Sequence, residues 1–275
     1  MNEDERVFTC LRRNVRESKP RTRGLTEIRG PYYSVMGPRY LDDVLETMGD
    51  YVDILKFAGG SFTLMPRTAL RAIIDTAHRY DVRVSTGGFI EHVLTQGPDA
   101  VDNYLCECRD LGFDIVEVSS GFVVVPPDDL VRLTDHIRTS GLEAKPEVGI
   151  QFGAGGTTTA EALAAEGTRD VTAAIALIRR YLDAGAHLVM IESEGITESV
   201  HSWRTDAVAR IASEIGVERV MFEAADPEVF AWYIKNYGPE VNLFVDHSQI
   251  VQLESLRAGI WGTSDLWGRV LTYKP

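Results

Sequence analysis

Eight short runs of β-branched and apolar residues recur along the chain, and each ends in Gly, Ser, Thr or a charge. They are GLTEIR, VDILKF, VRVSTGG, DIVEVSS, EAKPEVGI, HLVMIES, VMFEAA and VNLFVDH. Between them lie stretches such as PRTALRAIIDTAHRYD and DVTAAIALIRRYLDAG, with apolar residues at helical spacing. In the first of these, Leu70, Ile73, Ile74 and Ala77 share one face while Arg71, Asp75 and Arg79 point away. Strand alternating with helix predicts parallel strands joined by helical crossovers. Eight such units in 275 residues predict a single-domain α/β fold, a (β/α)₈ TIM barrel over 24–275, behind a basic N-terminal leader over 1–23. A doubly wound open sheet is the competing architecture. No G-x-G-x-x-G follows the first strand, so dinucleotide binding has no support.

Charge narrows the function. Lys and Arg number 28 and Asp and Glu 41, a net charge of −13. That balance argues against nucleic acid as a partner and against anionic membrane surfaces, while leaving room for an anionic small molecule at a locally positive site. No apolar run is long enough to span a bilayer. The first twenty residues lack the apolar core of a secretory signal. The three cysteines, Cys10, Cys106 and Cys108, form no disulfide framework. A cytoplasmic protein is expected.

In a barrel of this type, chemistry sits where the strands end. Arg29 ends the first strand, Lys56 the second, and Ser85 with Gly87 and Gly88 the third. The fourth carries Glu117, the fifth Lys145 and Glu147, the sixth Glu192 and Glu194, the seventh Glu223 and the eighth Asp246 and His247. Alternation puts Lys145 with Glu147 on one face of their strand. Carboxylates on neighbouring strands suit a hard cation such as Mg²⁺. Lys56 and Arg29 suit an anionic group, and the pairs Gly59-Gly60 and Gly87-Gly88 let backbone N–H groups approach phosphate oxygens. Of the histidines only His247 is well placed, and no Ser-His-Asp or H-E-x-x-H arrangement appears. Two segments break the rhythm. FGAGGTTTAEALAAEGTRD reads as a mobile loop over the site, and the aromatic tail IWGTSDLWGRVLTY as surface that buries against another subunit, predicting a homo-oligomer.

Six segments carry a resemblance: KPRTRGLTEIR, VDILKFAGGS, VRVSTGG, LGFDIVEVSSG, KPEVG and VMFEAADPEVFAWYIKNYGPEVNL, within the eight-unit layout, resemble the phosphosulfolactate synthase family over roughly residues 19 to 260. The resemblance implies a Mg²⁺-dependent lyase that adds sulfite to phosphoenolpyruvate through an enediolate-like intermediate. It implies Lys56, Lys145 and Glu147 as catalytic groups. Glu117, Glu147, Glu192, Glu223 and Asp246 would be metal ligands or their neighbours. Arg21, Arg23, Arg29, Gly59, Gly60, Ser85, Gly87, Gly88 and His247 would bind substrate. Arg21 and Arg23 precede the first strand, so barrel geometry alone sends them to the opposite rim. The chain looks closer to the plant heat-stress-associated and fungal branch than to the archaeal enzymes. It departs from the latter at TEIRGPYYS, at Ile150 and Gln151, and at Asp246-His247. Two alternatives stay open: a barrel acting on another phosphorylated or carboxylated small molecule, and a non-catalytic stress-related protein.

Overall fold

The computed structural model describes residues 7–155, 158–167 and 170–273. Eight parallel strands close into a barrel in sequence order: β1 (Thr26–Arg29), β2 (Ile54–Lys56), β3 (Arg83–Ser85), β4 (Ile115–Val118), β5 (Glu143–Val148), β6 (Val189–Ile191), β7 (Val220–Glu223) and β8 (Asn242–Asp246). Closure comes from β1 pairing with β8, Glu27 opposite Phe244 and Arg29 opposite Asp246. The main crossover helices are α1 (Pro38–Met48), α2 (Arg67–Arg79), α3 (Ile90–Leu94), α4 (Pro98–Leu111), α5 (Pro127–Thr139), α6 (Ala160–Ala165), α7 (Thr172–Asp183), α8 (Thr205–Ile215), α9 (Pro227–Tyr237) and α10 (Ile250–Arg257). The predicted architecture and all eight strand positions are observed.

Strand alternation divides the core in two. Ile28, Leu55, Val84, Val116 and Phe222 pack outward with the apolar faces of the helices. Leu25, Ile54, Ile115, Leu188, Met190, Met221 and Phe244 fill the barrel as an apolar plug. Successive side chains on a strand point to opposite faces, so a step of two residues from the plug reaches the next inward position. From Ile54 that step lands on Lys56, from Ile115 on Glu117, from Met190 on Glu192 and from Met221 on Glu223. The plug is therefore the floor under a ring of charge.

The leader is not a solvated tail where it is described. Arg16 bonds the Tyr51 carbonyl at 3.0 Å and Glu254 at 2.8 Å, and Lys19 bonds the Tyr80 carbonyl at 2.8 Å. Asn14 reaches the carbonyls of Arg257 and Val270 at 3.0 and 2.8 Å. These bonds fasten the leader across the end where the strands begin. Trp261 and Trp267 sit against one another, ring centroids 3.9 Å apart, each more than half exposed. No helix among the described residues is long and apolar enough to cross a membrane.

Candidate active site

Lys56 leaves the end of β2 with its Nζ 2.9 Å from Glu117 Oε1, 3.1 Å from Glu147 Oε2 and 4.6 Å above the Phe244 ring. The Arg29 guanidinium lies over the same ring at 4.9 Å, pairs with Glu223 and donates to Tyr33 Oη at 3.1 Å. The Phe244 ring is thus in cation–π reach of both cations, whose charges are offset by Glu223 and by Glu117 and Glu147. Deeper in the barrel Lys145 is fully buried. It donates to both carboxylate oxygens of Glu27 and stands 3.2 Å from Glu117. Glu192 Oε1 accepts from the backbone N–H groups of Ser193 and Glu194 at 2.8 and 3.2 Å. Its carboxyl also contacts that of Glu223.

Five carboxyl groups (Glu27, Glu117, Glu147, Glu192, Glu223) therefore share the barrel end with three cations (Arg29, Lys56, Lys145). The imbalance decides the protonation states. Burial alone would lower the Lys56 pKa, but Glu117, Glu147 and Glu223 outweigh it and hold the ammonium well above its usual range. Burial also opposes ionisation of Glu117, yet Lys56 and Lys145 keep it below the usual carboxylate value. Glu147 goes the other way: burial and then repulsion from Glu117 push it up to about 8, against the pull of Lys56. Glu192 rises well above its ordinary value through burial and the neighbouring Glu223 and Glu147. Burial and the neighbouring carboxylates thus favour the protonated form of Glu147, which stays in contact with the Lys56 ammonium.

Among the described residues no three His, Cys or carboxylate groups gather as a metal cage. Mg²⁺ needs less, since it takes one or two carboxylates and completes its shell with waters and substrate oxygens. The crowding of Glu192 against Glu223, two buried carboxyls with too little positive charge between them, fits that donor set.

The glycine pairs have visible causes. Gly59 and Gly60 have φ of +59° and +65°, and a Cβ at Gly60 would stand 2.3 Å from the Phe89 ring. Gly88 lines the site directly, where a Cβ would sit 2.7 Å from Ser119 Oγ and 3.8 Å from Glu117 Oε1. Ser85 is buried beside them, its Oγ accepting from Gly87 N at 3.4 Å. His247 and Asp246 are engaged in the turn after β8. The His247 ring lies between the Arg29 carbonyl, at 3.2 Å, and Tyr40 Oη, at 3.1 Å. Asp246 accepts from Ser248 N at 2.9 Å and caps the next helical turn.

Arg21 and Arg23 do not join this group. They line a cavity of about 1420 Å³ at the opposite end of the barrel, where Arg21 pairs with Asp53 and Arg23 with Glu17 and Glu240. The strand C-termini, where chemistry sits in a barrel of this type, lie at the other end. The crossover expected to be mobile is fastened in its described part. Glu194 accepts from Gly155 N and Thr158 N, each at 3.0 Å, and Gln151 donates to the carbonyls of Leu163 and Gly167. The strand-end census did not single out Phe244 or Glu194's hold on this loop. Phe244 was legible as the inward apolar position two before Asp246.

A family model described as (2R)-phospho-3-sulfolactate synthase (ComA) matches residues 14–263. Protein HEAT-STRESS-ASSOCIATED 32 of Arabidopsis thaliana is 40% identical over 252 residues, covering 88% of each chain. The phosphosulfolactate synthase of Methanothermobacter thermautotrophicus is 29% identical over 262 residues, covering 93% of this chain and 95% of its own. Among solved structures, 2,3-dimethylmalate lyase, a PEP mutase/isocitrate lyase superfamily member, superposes with a TM-score of 0.52 at 12% identity, over 84% of this chain and 80% of that one. The carboxyl transferase domain of Rhizobium etli pyruvate carboxylase gives 0.56 at 13% identity over 82% of this chain, which spans only 40% of that longer one. At these identities both structures speak to the fold alone.

Proposed function

This chain belongs to the (2R)-phospho-3-sulfolactate synthase family, and from that premise we propose that it is a lyase-type enzyme adding sulfite to phosphoenolpyruvate at the strand C-termini. The observation that supports the reading best is the pair of cations, Arg29 and Lys56, held over Phe244 beside a protonated Glu147. In the addition, the sulfur lone pair forms a bond to the methylene carbon. The π electrons of the carbon–carbon double bond move onto the adjacent carbon and into the carboxylate. A proton then goes to that adjacent carbon.

Lys56 and Arg29 hold the anionic substrate and oppose the charge that develops on its carboxylate. Glu147, 3.1 Å from Lys56, supplies the proton. Lys56 keeps its own proton because three carboxylates surround it. Lys145 is engaged by Glu27 and Glu117 and acts by fixing Glu117, which in turn fixes Lys56. Glu192 and Glu223 would hold Mg²⁺, which when bound supplies Lewis-acid stabilisation of the enediolate-like charge. The exposed Trp261 and Trp267 support assembly as a homo-oligomer.

Phosphorus NMR of purified protein with phosphoenolpyruvate, sulfite and Mg²⁺ tests the assignment, with Lys56→Ala in parallel. A new phosphomonoester resonance that needs all three components and disappears in the variant is expected. Absence of any new resonance would remove sulfite addition and leave another phosphorylated or carboxylated acid as the substrate to be sought.

A further inference from the structure

The loop after β1 lays two tyrosines beside the charged ring. Gly30 N bonds the Lys56 carbonyl at 2.8 Å, which ties the start of this loop to the end of β2. The Tyr32 ring then lies on the turn that follows Lys56, where a Cβ at Gly59 would stand 2.6 Å from it. Tyr33 meets the Tyr32 ring edge to face, centroids 5.0 Å apart, and its own ring centre lies 5.1 Å from the Arg29 guanidinium. Arg29 is therefore in reach of two rings, Phe244 and Tyr33. Tyr33 is 73% exposed, so packing in the core does not explain its position. What it meets is a cation whose own side chain is only 12% exposed.

The hydrogen bonds leave donors over. A guanidinium has five N–H groups. Among the described residues, Glu223 and the Tyr33 hydroxyl are the hydrogen-bond partners of Arg29. The phenol oxygen accepts from Arg29, and among the described residues nothing accepts from the phenol in turn. A phenol keeps its proton at neutral pH. Accepting from a cation also makes it a stronger donor. Spare N–H groups and a spare O–H therefore stand next to one another at the strand C-termini. We propose that Tyr33 is a substrate-binding residue, and that with Arg29 it clamps one oxyanion, a carboxylate or a phosphate group. Such a group offers two oxygens, one for each donor, and carries the charge that makes both hydrogen bonds strong. This inference rests on the assignment of Arg29 to the anionic substrate and adds the neutral donor that works beside it.

The test uses the full chain carrying tyrosine labelled with carbon-13 at the hydroxyl-bearing carbon, titrated with inorganic phosphate and separately with pyruvate. The Tyr33 resonance is the one missing from Tyr33→Phe. A saturable shift of that resonance is expected with at least one probe, and the probe that produces it tells whether the clamp takes a phosphate or a carboxylate. Followed at backbone amides, Tyr33→Phe, which keeps the ring, weakens that binding roughly tenfold while its Tm stays at the parent value. Tyr32→Phe, which removes the neighbouring hydroxyl, leaves the affinity unchanged. Binding lost in Arg29→Lys but kept at parent strength in Tyr33→Phe overturns this inference and leaves Arg29 as the anion site. A parent protein that binds neither probe nor phosphoenolpyruvate saturably overturns both readings.

Discussion

The two ends of this barrel carry ionisable groups in similar abundance and use them in opposite ways. Where the strands begin, the cavity is wide and the charges are settled in pairs: Arg21 with Asp53, Arg23 with Glu17 and Glu240, His78 with Asp114, His187 with Glu143. Where the strands end, five carboxyl groups share the space with three cations and the charges do not balance. Lys56, Glu117, Lys145, Glu192 and Glu223 are all buried, and burial followed by repulsion from Glu117 raises Glu147 to about 8. Buried charge that is crowded and uncompensated is costly to keep for structure alone, and it marks the end with chemical work to do.

The sharpest way to break this contrast is Lys145→Met. It strands Glu27 and takes one of two cations from Glu117 in a buried layer, so urea unfolding should show a loss of about 3–5 kcal/mol. A loss no greater than a surface substitution would mean that water reaches this layer. Next comes Glu147→Gln, which removes a proton donor while preserving shape. It should lower kcat by on the order of a hundredfold with a small change in KM for phosphoenolpyruvate. A fall confined to KM would make Glu147 a binding group.

A third test concerns pH. The folded pKa of Glu147, about 8, lies above the ordinary carboxylate value, so the folded state keeps a proton there that the unfolded chain has released. The stability it contributes is present below the ordinary carboxylate value and is lost as pH rises through 8. The metal-free protein should therefore lose about 5 °C of Tm between pH 5 and 8. Added Mg²⁺ should restore much of it at pH 8, and a pH-independent Tm would show that the carboxyl crowd relaxes without a cation. The smallest effect belongs to the other end. Arg23 is half exposed, and Arg23→Ala should leave the urea midpoint and turnover close to those of the parent.

The sequence made the barrel legible because its two periodicities are physical. Period two on the strands separates the plug from the outer core, and 3.6 on the helices gives one apolar face each. The same alternation made the charged ring legible, since Lys56, Glu117, Glu192 and Glu223 are single steps above apolar inward positions. Which charge meets which was not legible. Glu117 stands beside Lys145 because β4 and β5 pair in that register, and Glu27 reaches Lys145 only across the barrel interior. Lys56 on β2 meets Glu117 on β4 and Glu147 on β5, partners that strand order alone does not name. Asp246 and His247 look like site residues in one dimension, yet their side chains hold the turn after β8 and the end of β1. Arg21 and Arg23 were drawn to the site by family likeness, against a topology that put them across the barrel.

The seam between β1 and β8 has a consequence for synthesis on the ribosome. Leu25 N bonds the Asn242 side chain, a partner 217 positions further on, and the whole inner edge of β1 is completed only by β8. At translation rates of about 5–20 residues per second, the first strand waits on the order of 10–40 s for its second neighbour. Through that interval Glu27 and Arg29 sit on an unfinished edge, and the nascent chain holds these charges apart from a closed interior until nearly the last turn of the barrel has emerged.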